Sequence, residues 1–318
     1  METIQRAGLT FIHTIQSGMP GLDGIMNFFS DLGRENFYMG ILAFLFWCFD
    51  RRLGMRLLLI IVLADFSNTI FKWLFHGPRP YWIEPSLLKL GTEESFGIPS
   101  GHAQNAVAFW GYLIYEFRSK KMAWIAGIAI IALISFSRMY LGVHFPHDVV
   151  FGWFLGFVLL FGTILFASKI EKRLHDFSPP SAFISGVAGA FFMVLAAQVI
   201  RGFVLWGNPD LERTALSMKG PVSDAAIIAG LGLSAVFLPG FHAETTGRWY
   251  IRLARFIVGI LGILLIRLSG SLLVSDETLL SLLFRALRYS LIGLWAVRLA
   301  PWVFVVLGLS KKERVTAD

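Results

Sequence analysis

Lys72, Arg79, Ser100, His102, Arg138, His144 and Asp148 stand in three short stretches, KWLFHGPRP (72–80), IPSGH (98–102) and SRMYLGVHFPHD (137–148), each set against apolar sequence. Burying such groups is costly unless they find partners, so the three stretches are expected to converge. Their types point to an oxyanion. Lys72, Arg79 and Arg138 supply fixed positive charge, and the two guanidinium forks match phosphate oxygens. Pro99 and Ser100 precede a helical segment whose first N–H groups are free, so an anion is expected to rest on Ser100, Gly101 and His102. Gly101 allows the close backbone approach that this needs. His144 and Asp148 are four apart, a spacing that one helical turn puts on one face. A carboxylate there fixes the imidazole tautomer and stabilises its cation. Pro146 is compatible with a helix starting at that point.

Two histidines in two settings imply two jobs. His144, backed by a carboxylate, suits a nucleophile that attacks phosphorus and becomes a phosphohistidine. His102, at the anion-binding helix end, suits a general acid for the leaving alkoxide and later a base for water. The cations then stabilise charge on the transferring phosphoryl group, a role that metals fill elsewhere. No metal and no cofactor is expected, because clustered Lys and Arg repel a cation and carboxylates are scarce. Taken singly, each element has an ordinary reading. Lys72 or Arg79 alone suits a snorkelling interface residue, PSGH a helix cap, and His144 with Asp148 a structural pair or half of a metal site. His76 and His147 read as supporting or exposed. The combination is what carries specificity.

The elements that must hold these groups are membrane helices. Of 318 residues, 56% are hydrophobic and only 15% charged, against about 25% charged in a soluble domain. Apolar segments long enough to cross a bilayer run over about 36–50, 55–75, 102–118, 122–140, 148–168, 182–205, 222–240, 251–269 and 287–309. The first is short, so its helix is expected to begin near Leu32. Residues 1–30 read as an amphipathic interfacial helix and turn rather than a cleaved signal peptide. The single cysteine, Cys48, cannot form a disulfide within the chain. HDFSPPS (175–181) marks a composition shift between two halves.

Loop charge sets the orientation. Arg51, Arg52 and Arg56, then Arg118, Lys120 and Lys121, then Lys169, Lys172 and Arg173, then Arg248, Arg252 and Arg255, and the tail Lys311, Lys312 and Arg314 fall on one side. The opposite loops are acidic or mixed, with Glu84, Lys89, Glu93, Glu94, Asp210, Glu212, Arg213, Lys219, Asp276 and Glu277. Positive-inside bias puts the N-terminus outside, the C-terminus in the cytoplasm, and all three polar stretches on the extracytoplasmic side. The net charge of +7 therefore reports topology, and no nucleic-acid partner is expected.

Lys72-x6-Arg79-Pro80, then Pro99-Ser100-Gly101-His102, then Ser137-Arg138-x5-His144-x3-Asp148 resembles the tripartite signature of the type 2 phosphatidic acid phosphatase superfamily, without substitution. The resemblance covers roughly residues 20–170. It implies an all-α helical-bundle core and metal-independent phosphate-ester hydrolysis through a phosphohistidine. It also implies that Lys72, Arg79, Ser100, Gly101 and Arg138 hold phosphate, His144 is the nucleophile, Asp148 supports it and His102 is the acid. A core of about five to six helices plus further C-terminal ones, about nine in all, is similar to the glucose-6-phosphatase and sphingosine-1-phosphate phosphatase branches. The domain reading is a phosphatase core with an interfacial helix at 1–175 and additional transmembrane helices at 176–318.

The expected function is hydrolysis of a lipid phosphomonoester or diphosphate at the periplasmic, extracellular or lumenal face. Candidate substrates are phosphatidic acid, a sphingoid-base phosphate, phosphatidylglycerol phosphate or an isoprenoid diphosphate. A soluble sugar phosphate and lipid-to-lipid phosphotransfer stay open, as does an anionic lipid transporter or flippase using the same pocket without turnover. In the second half, Arg201, Arg267, Arg285 and Arg288 read either as a lateral entrance for an anionic headgroup or as snorkelling arginines. Arg298 lies deeper and is expected to face the bundle or a watery crevice, with Pro301 kinking its helix. Gly152 and Gly156 suit close helix packing, within the bundle or between subunits.

Overall fold

A computed structural model describes residues 2–89, 91–211, 213–239, 241–269 and 277–313; Glu212, Asp276 and Arg314 of the charge pattern lie outside them. The main elements of the described chain are helices: α1 (Glu2–Gly18), α2 (Asp23–Asp31), α3 (Glu35–Cys48), α4 (Arg51–Phe75), α5 (Pro80–Ile83), α6 (Gly101–Glu116), α7 (Lys121–Tyr140), α8 (Pro146–His175), α9 (Pro179–Gly207), α10 (Lys219–Val236), α11 (Trp249–Leu268), α12 (Leu279–Leu294) and α13 (Ala300–Val306). The apolar segments read from the sequence overlap these helices, with 287–309 divided between α12, a π-helical turn and α13. Among the described residues, 5 helical stretches are long and apolar enough to cross a membrane unaided: Arg51–Ile83, Lys121–Tyr140, Pro146–Leu174, Pro179–Gly207 and Leu279–Val306. The protein is a multi-pass membrane protein. Its helices turn large apolar side chains outward, as Phe191, Phe192, Phe203 and Trp206 do on α9, which is stable only against lipid.

One boundary differs from expectation. The helix expected from near Leu32 begins at Glu35, because Leu32 caps α2, its N–H bonding Phe28 O. Gly33 then turns the chain against the His102 ring and Ile134.

Two compact units interleave along the chain. The first holds Met1–Tyr38, Leu59–Phe166 and Ile200–Leu216; the second holds Met39–Leu58, Ala167–Val199 and Ser217–Asp318. In the first, α1 buries Ile12 and Ile15 and donates from Gln16 Nε2 to Leu87 O (2.9 Å) and Tyr140 O (2.7 Å). The amphipathic segment thus has its apolar face against protein. Gly152 and Gly156 of α8 lie on α6: a Cβ at Gly152 would stand 2.5 Å from Ser100 O and one at Gly156 2.7 Å from Gln104 O. Between the two uses open to this pair, the structure has it inside the bundle, where small residues let backbones approach.

In the second unit, Trp47 stacks edge-on against Phe304 (5.7 Å) and donates Nε1–H to Ala296 O at 2.8 Å. A π-helical turn at Trp295–Leu299 rotates Arg298 inward, where Nε donates to Ser234 O (2.7 Å) and Nη1 to Phe241 O. Arg298 thereby satisfies the Ser234 carbonyl in the last turn of α10, where a cation is favoured, and the Phe241 carbonyl in the segment that follows. Arg285 donates to Lys219 O (2.8 Å) and Ser223 Oγ (2.7 Å) and lies over the Tyr289 ring. It is anchored in protein rather than extended to lipid headgroups.

Candidate active site

All residues singled out in the three polar stretches belong to the first unit, and local sequence explains how each is aimed. Lys72 stands in the last turn of α4. Pro80 opens α5 and keeps Arg79, its N-cap, extended at φ −90° and ψ 156°, since the residue before a proline avoids the helical region. Gly142, at φ +73°, turns the chain after α7 with its Cα against Leu87 O. That turn lets Val143 and His144 both donate backbone N–H to Arg138 O at 3.2 Å, so the five-residue spacer returns His144 to its arginine. Pro146 begins α8, and Asp148 Oδ2 reaches back to accept the Phe145 N–H at 2.9 Å. This is one arm of a capping box, in which an acid at the third helical position accepts from the N-cap N–H.

The side chains converge. Asp148 Oδ2 also lies 3.3 Å from His144 Nδ1, while Arg79 Nη1 stands 3.3 Å from His144 Nε2 and donates to Val143 O at 2.9 Å. Lys72 Nζ donates to Phe96 O and, at 3.4 Å, to Gly97 O. Arg138 donates Nη1–H to Ser30 Oγ and Nη2–H to Glu93 Oε1, the latter at 2.6 Å. Lys72, Arg79, Ser100, Arg138, His144 and Asp148 are all buried. Lys72, Arg79, Arg138 and His102 all lie within electrostatic reach of the His144 ring. Burial first, then these neighbouring cations, hold His144 well below its ordinary value and so keep the imidazole neutral. With Nδ1–H turned to Asp148, the lone pair on Nε2 faces the cations.

The helix mouth differs from expectation in one respect. The Ser100 N–H is not free: it donates to Asp148 O at 3.0 Å and ties the start of α6 to α8. Its hydroxyl, by contrast, makes no cap bond and has no partner among the described residues, and neither has His102 Nε2. The unsatisfied groups at this mouth are therefore the Ser100 hydroxyl and His102 ring together with the first N–H groups of α6 itself. Gly101 packs on Asn68, where a Cβ would come 3.1 Å from Oδ1.

Sequence reasoning missed three contributors. The sequence pattern places Glu93 only in an acidic loop, yet its carboxylate sits on Arg138. Burial opposes its charge, but Arg138 and Arg79 outweigh that and hold it below the usual carboxylate range. Ser95 carries no sequence signal of its own, and its carbonyl and hydroxyl accept from Arg79 Nε (2.7 Å) and Nη2 (3.0 Å). Asn68 donates to Gln104 Oε1 at 2.9 Å and so joins α4 to α6. The period of Asn68, four before Lys72, was the one available signal. His147, read as supporting or exposed, stacks on Phe145 with Nε2 3.3 Å from Asp148 Oδ1.

A helical membrane bundle that concentrates three buried cations around a carboxylate-backed imidazole has the chemistry of a membrane-bound phosphoric ester hydrolase. Comparison with known proteins agrees: residues 53–172 match the PAP2 superfamily, and residues 222–312 match the transmembrane extension of PAP2 superfamily phosphatases. The chain is 33% identical over 160 residues to an undecaprenyl-diphosphatase of Sulfolobus acidocaldarius, covering 48% of this chain and 77% of that one. It is 31% identical over 168 residues to phosphatidylglycerophosphatase B of Bacillus subtilis (48% and 79% covered). With glucose-6-phosphatase 2 of Mus musculus it shares 25% identity over 294 residues, covering 77% of this chain and 80% of that one. The chain belongs to the PAP2 superfamily.

Proposed function

We propose that the protein hydrolyses a lipid phosphomonoester or diphosphate at the extracytoplasmic face through a phosphohistidine, without a metal. The observation that supports this most is the His144 ring, oriented at Nδ1 by Asp148 and neutral at Nε2 beside Arg79. His144 Nε2 attacks phosphorus as the bond from phosphorus to the leaving oxygen breaks, and His102 gives that oxygen its proton. Water then attacks the phosphohistidine, His102 takes the proton, and the N–P bond breaks to release inorganic phosphate. Lys72, Arg79, Arg138, Ser100 and the N–H of Gly101 hold the phosphoryl oxygens throughout.

Residues 1–175 act as the catalytic core in this reading, with 176–318 as added membrane helices. Candidate substrates remain phosphatidic acid, a sphingoid-base phosphate, phosphatidylglycerol phosphate and an isoprenoid diphosphate. A soluble sugar phosphate is the second reading, favoured by the similarity to glucose-6-phosphatase 2 along 77% of this chain. His144→Ala is expected to abolish phosphate release from a panel of these substrates with the protein still folded, and chelator is expected to leave the wild type active. Acid-labile, histidine-linked phosphate should be trapped on the wild type. Phosphate release that survived His144→Ala would overturn the mechanism, and lipid transport without any turnover would favour the flippase reading.

A further inference from the structure

Beneath His102, the first unit contains a second group of polar side chains that the phosphoryl chemistry does not use. Asn105 follows His102 by one turn on α6 and is buried, as is Tyr38 on α3. Asn105 Nδ2 donates to Asp65 Oδ1 at 2.7 Å, but Asn105 Oδ1 has no partner among the described residues. Tyr38 Oη interacts with Trp110 Nε1 and has the Asp65 carboxylate as a further polar neighbour, but among the described residues neither Tyr38 Oη nor Trp110 Nε1 makes a hydrogen bond of full geometry. Buried polar atoms are nearly always bonded, so a group of orphaned ones implies a polar guest. Phenol, carboxamide, carboxylate and indole N–H offer both donors and acceptors but no cation. That chemistry selects hydroxyl groups and gives nothing to a second phosphate or a bare hydrocarbon.

The location says which hydroxyls. Gly33, between α2 and α3, packs its backbone against the His102 ring, which brings the start of α3, and with it Tyr38, to the same side of α6 as the proposed leaving-group acid. On the reading that His102 protonates the departing oxygen, the alcohol being released is what lies next to it.

We infer that Tyr38, Asp65, Asn105 and Trp110 form a leaving-group subsite for a polyol, so that the preferred substrate carries free hydroxyls close to its phosphate. A glycerol-type lipid headgroup and a free sugar share that chemistry. An isoprenoid diphosphate lacks it. A site built to bond a hydroxyl discriminates strongly against an analogue without one, since its own polar groups are then left unpaired.

The test compares kcat/KM for three probes on the full-length protein in detergent: short-chain phosphatidylglycerol phosphate, glucose 6-phosphate and octyl phosphate. The wild type is expected to favour at least one hydroxyl-bearing probe over octyl phosphate, and which of the two it favours identifies lipid headgroup or free sugar. Tyr38→Phe removes only the orphaned hydroxyl, and it is expected to cut that preference about tenfold. Asn105→Ala should act in the same direction. A structural role would lower all three probes together, so an unchanged preference ratio in both variants overturns the subsite. So does a wild type that prefers octyl phosphate. Those outcomes leave the phosphatase reading standing, whereas phosphate release from no probe or lipid phosphate at all would overturn both.

Discussion

Glu93 is the residue at which charge and position pull in different directions. Its carboxylate occupies an Arg138 N–H at 2.6 Å, where a phosphate oxygen would also seek a donor. A charge-assisted hydrogen bond of this kind contributes about 1.5–3 kcal/mol, so under the proposed mechanism Glu93 would compete with phosphate for Arg138. Glu93→Gln is expected to strengthen inhibition by inorganic phosphate about tenfold, read as the inhibition constant. Weaker inhibition would mean that Glu93 instead orients Arg138. His144 makes a pH prediction. Its folded pKa lies below the ordinary 6.5, so the neutral nucleophile is complete above pH 6.5 and is lost only as pH falls through the lower, folded value. The acid limb of kcat/KM, corrected for substrate ionisation, should therefore lie below pH 6.5. Finding it above that value would contradict the shielded imidazole. The histidines and cations were legible because their types are costly in an apolar chain. Glu93 and Ser95 were not, because a carboxylate and a serine in a polar loop look ordinary until the loop folds onto the cations.

At the scale of elements, the site depends on how α6, α8 and the turn after α7 meet. Gly152 and Gly156 bring the backbone of α8 against Ser100 O and Gln104 O, and the Ser100 N–H bonds Asp148 O across the same contact. Gly152→Ala adds a methyl with nowhere to go. It is expected to destabilise by about 1–3 kcal/mol and to lower kcat more than it raises KM, because it shifts the His102 helix relative to His144. Thermal unfolding and steady-state kinetics on the same preparation check both. Wild-type kinetics in Gly152→Ala would remove this contact from the positioning machinery. Helix existence was readable along the chain, since apolar runs of this length have one stable form in lipid. Less readable were the ends: the start of α3 at Glu35 rather than Leu32 depends on the cap of α2 and on Gly33 packing against His102.

At the scale of the molecule, the sequence pattern assigns sides of the membrane through loop charge, and labelling tests that assignment. Native Cys48 is buried, so a cysteine introduced at an exposed position reports alone. Ser86→Cys, in the segment between α5 and α6, should react with a membrane-impermeant maleimide on intact cells. Lys120→Cys, between α6 and α7, should react only after permeabilisation. The reverse pattern would turn the active site to the cytosol. By itself the sequence determined the helical class and the membrane setting and singled out the candidate reacting groups, because hydropathy and residue chemistry are properties of the chain read one segment at a time. Tertiary structure alone decided that the Ser100 amide is occupied while its hydroxyl has no partner among the described residues, that Glu93 sits on Arg138, that Arg298 caps α10, and that the Asn105 Oδ1 and the Tyr38 hydroxyl lack a well-formed hydrogen bond among those residues. Those facts are relations between segments distant in sequence. A hydrogen bond between such groups is fixed by distance and angle, which no one-dimensional pattern records.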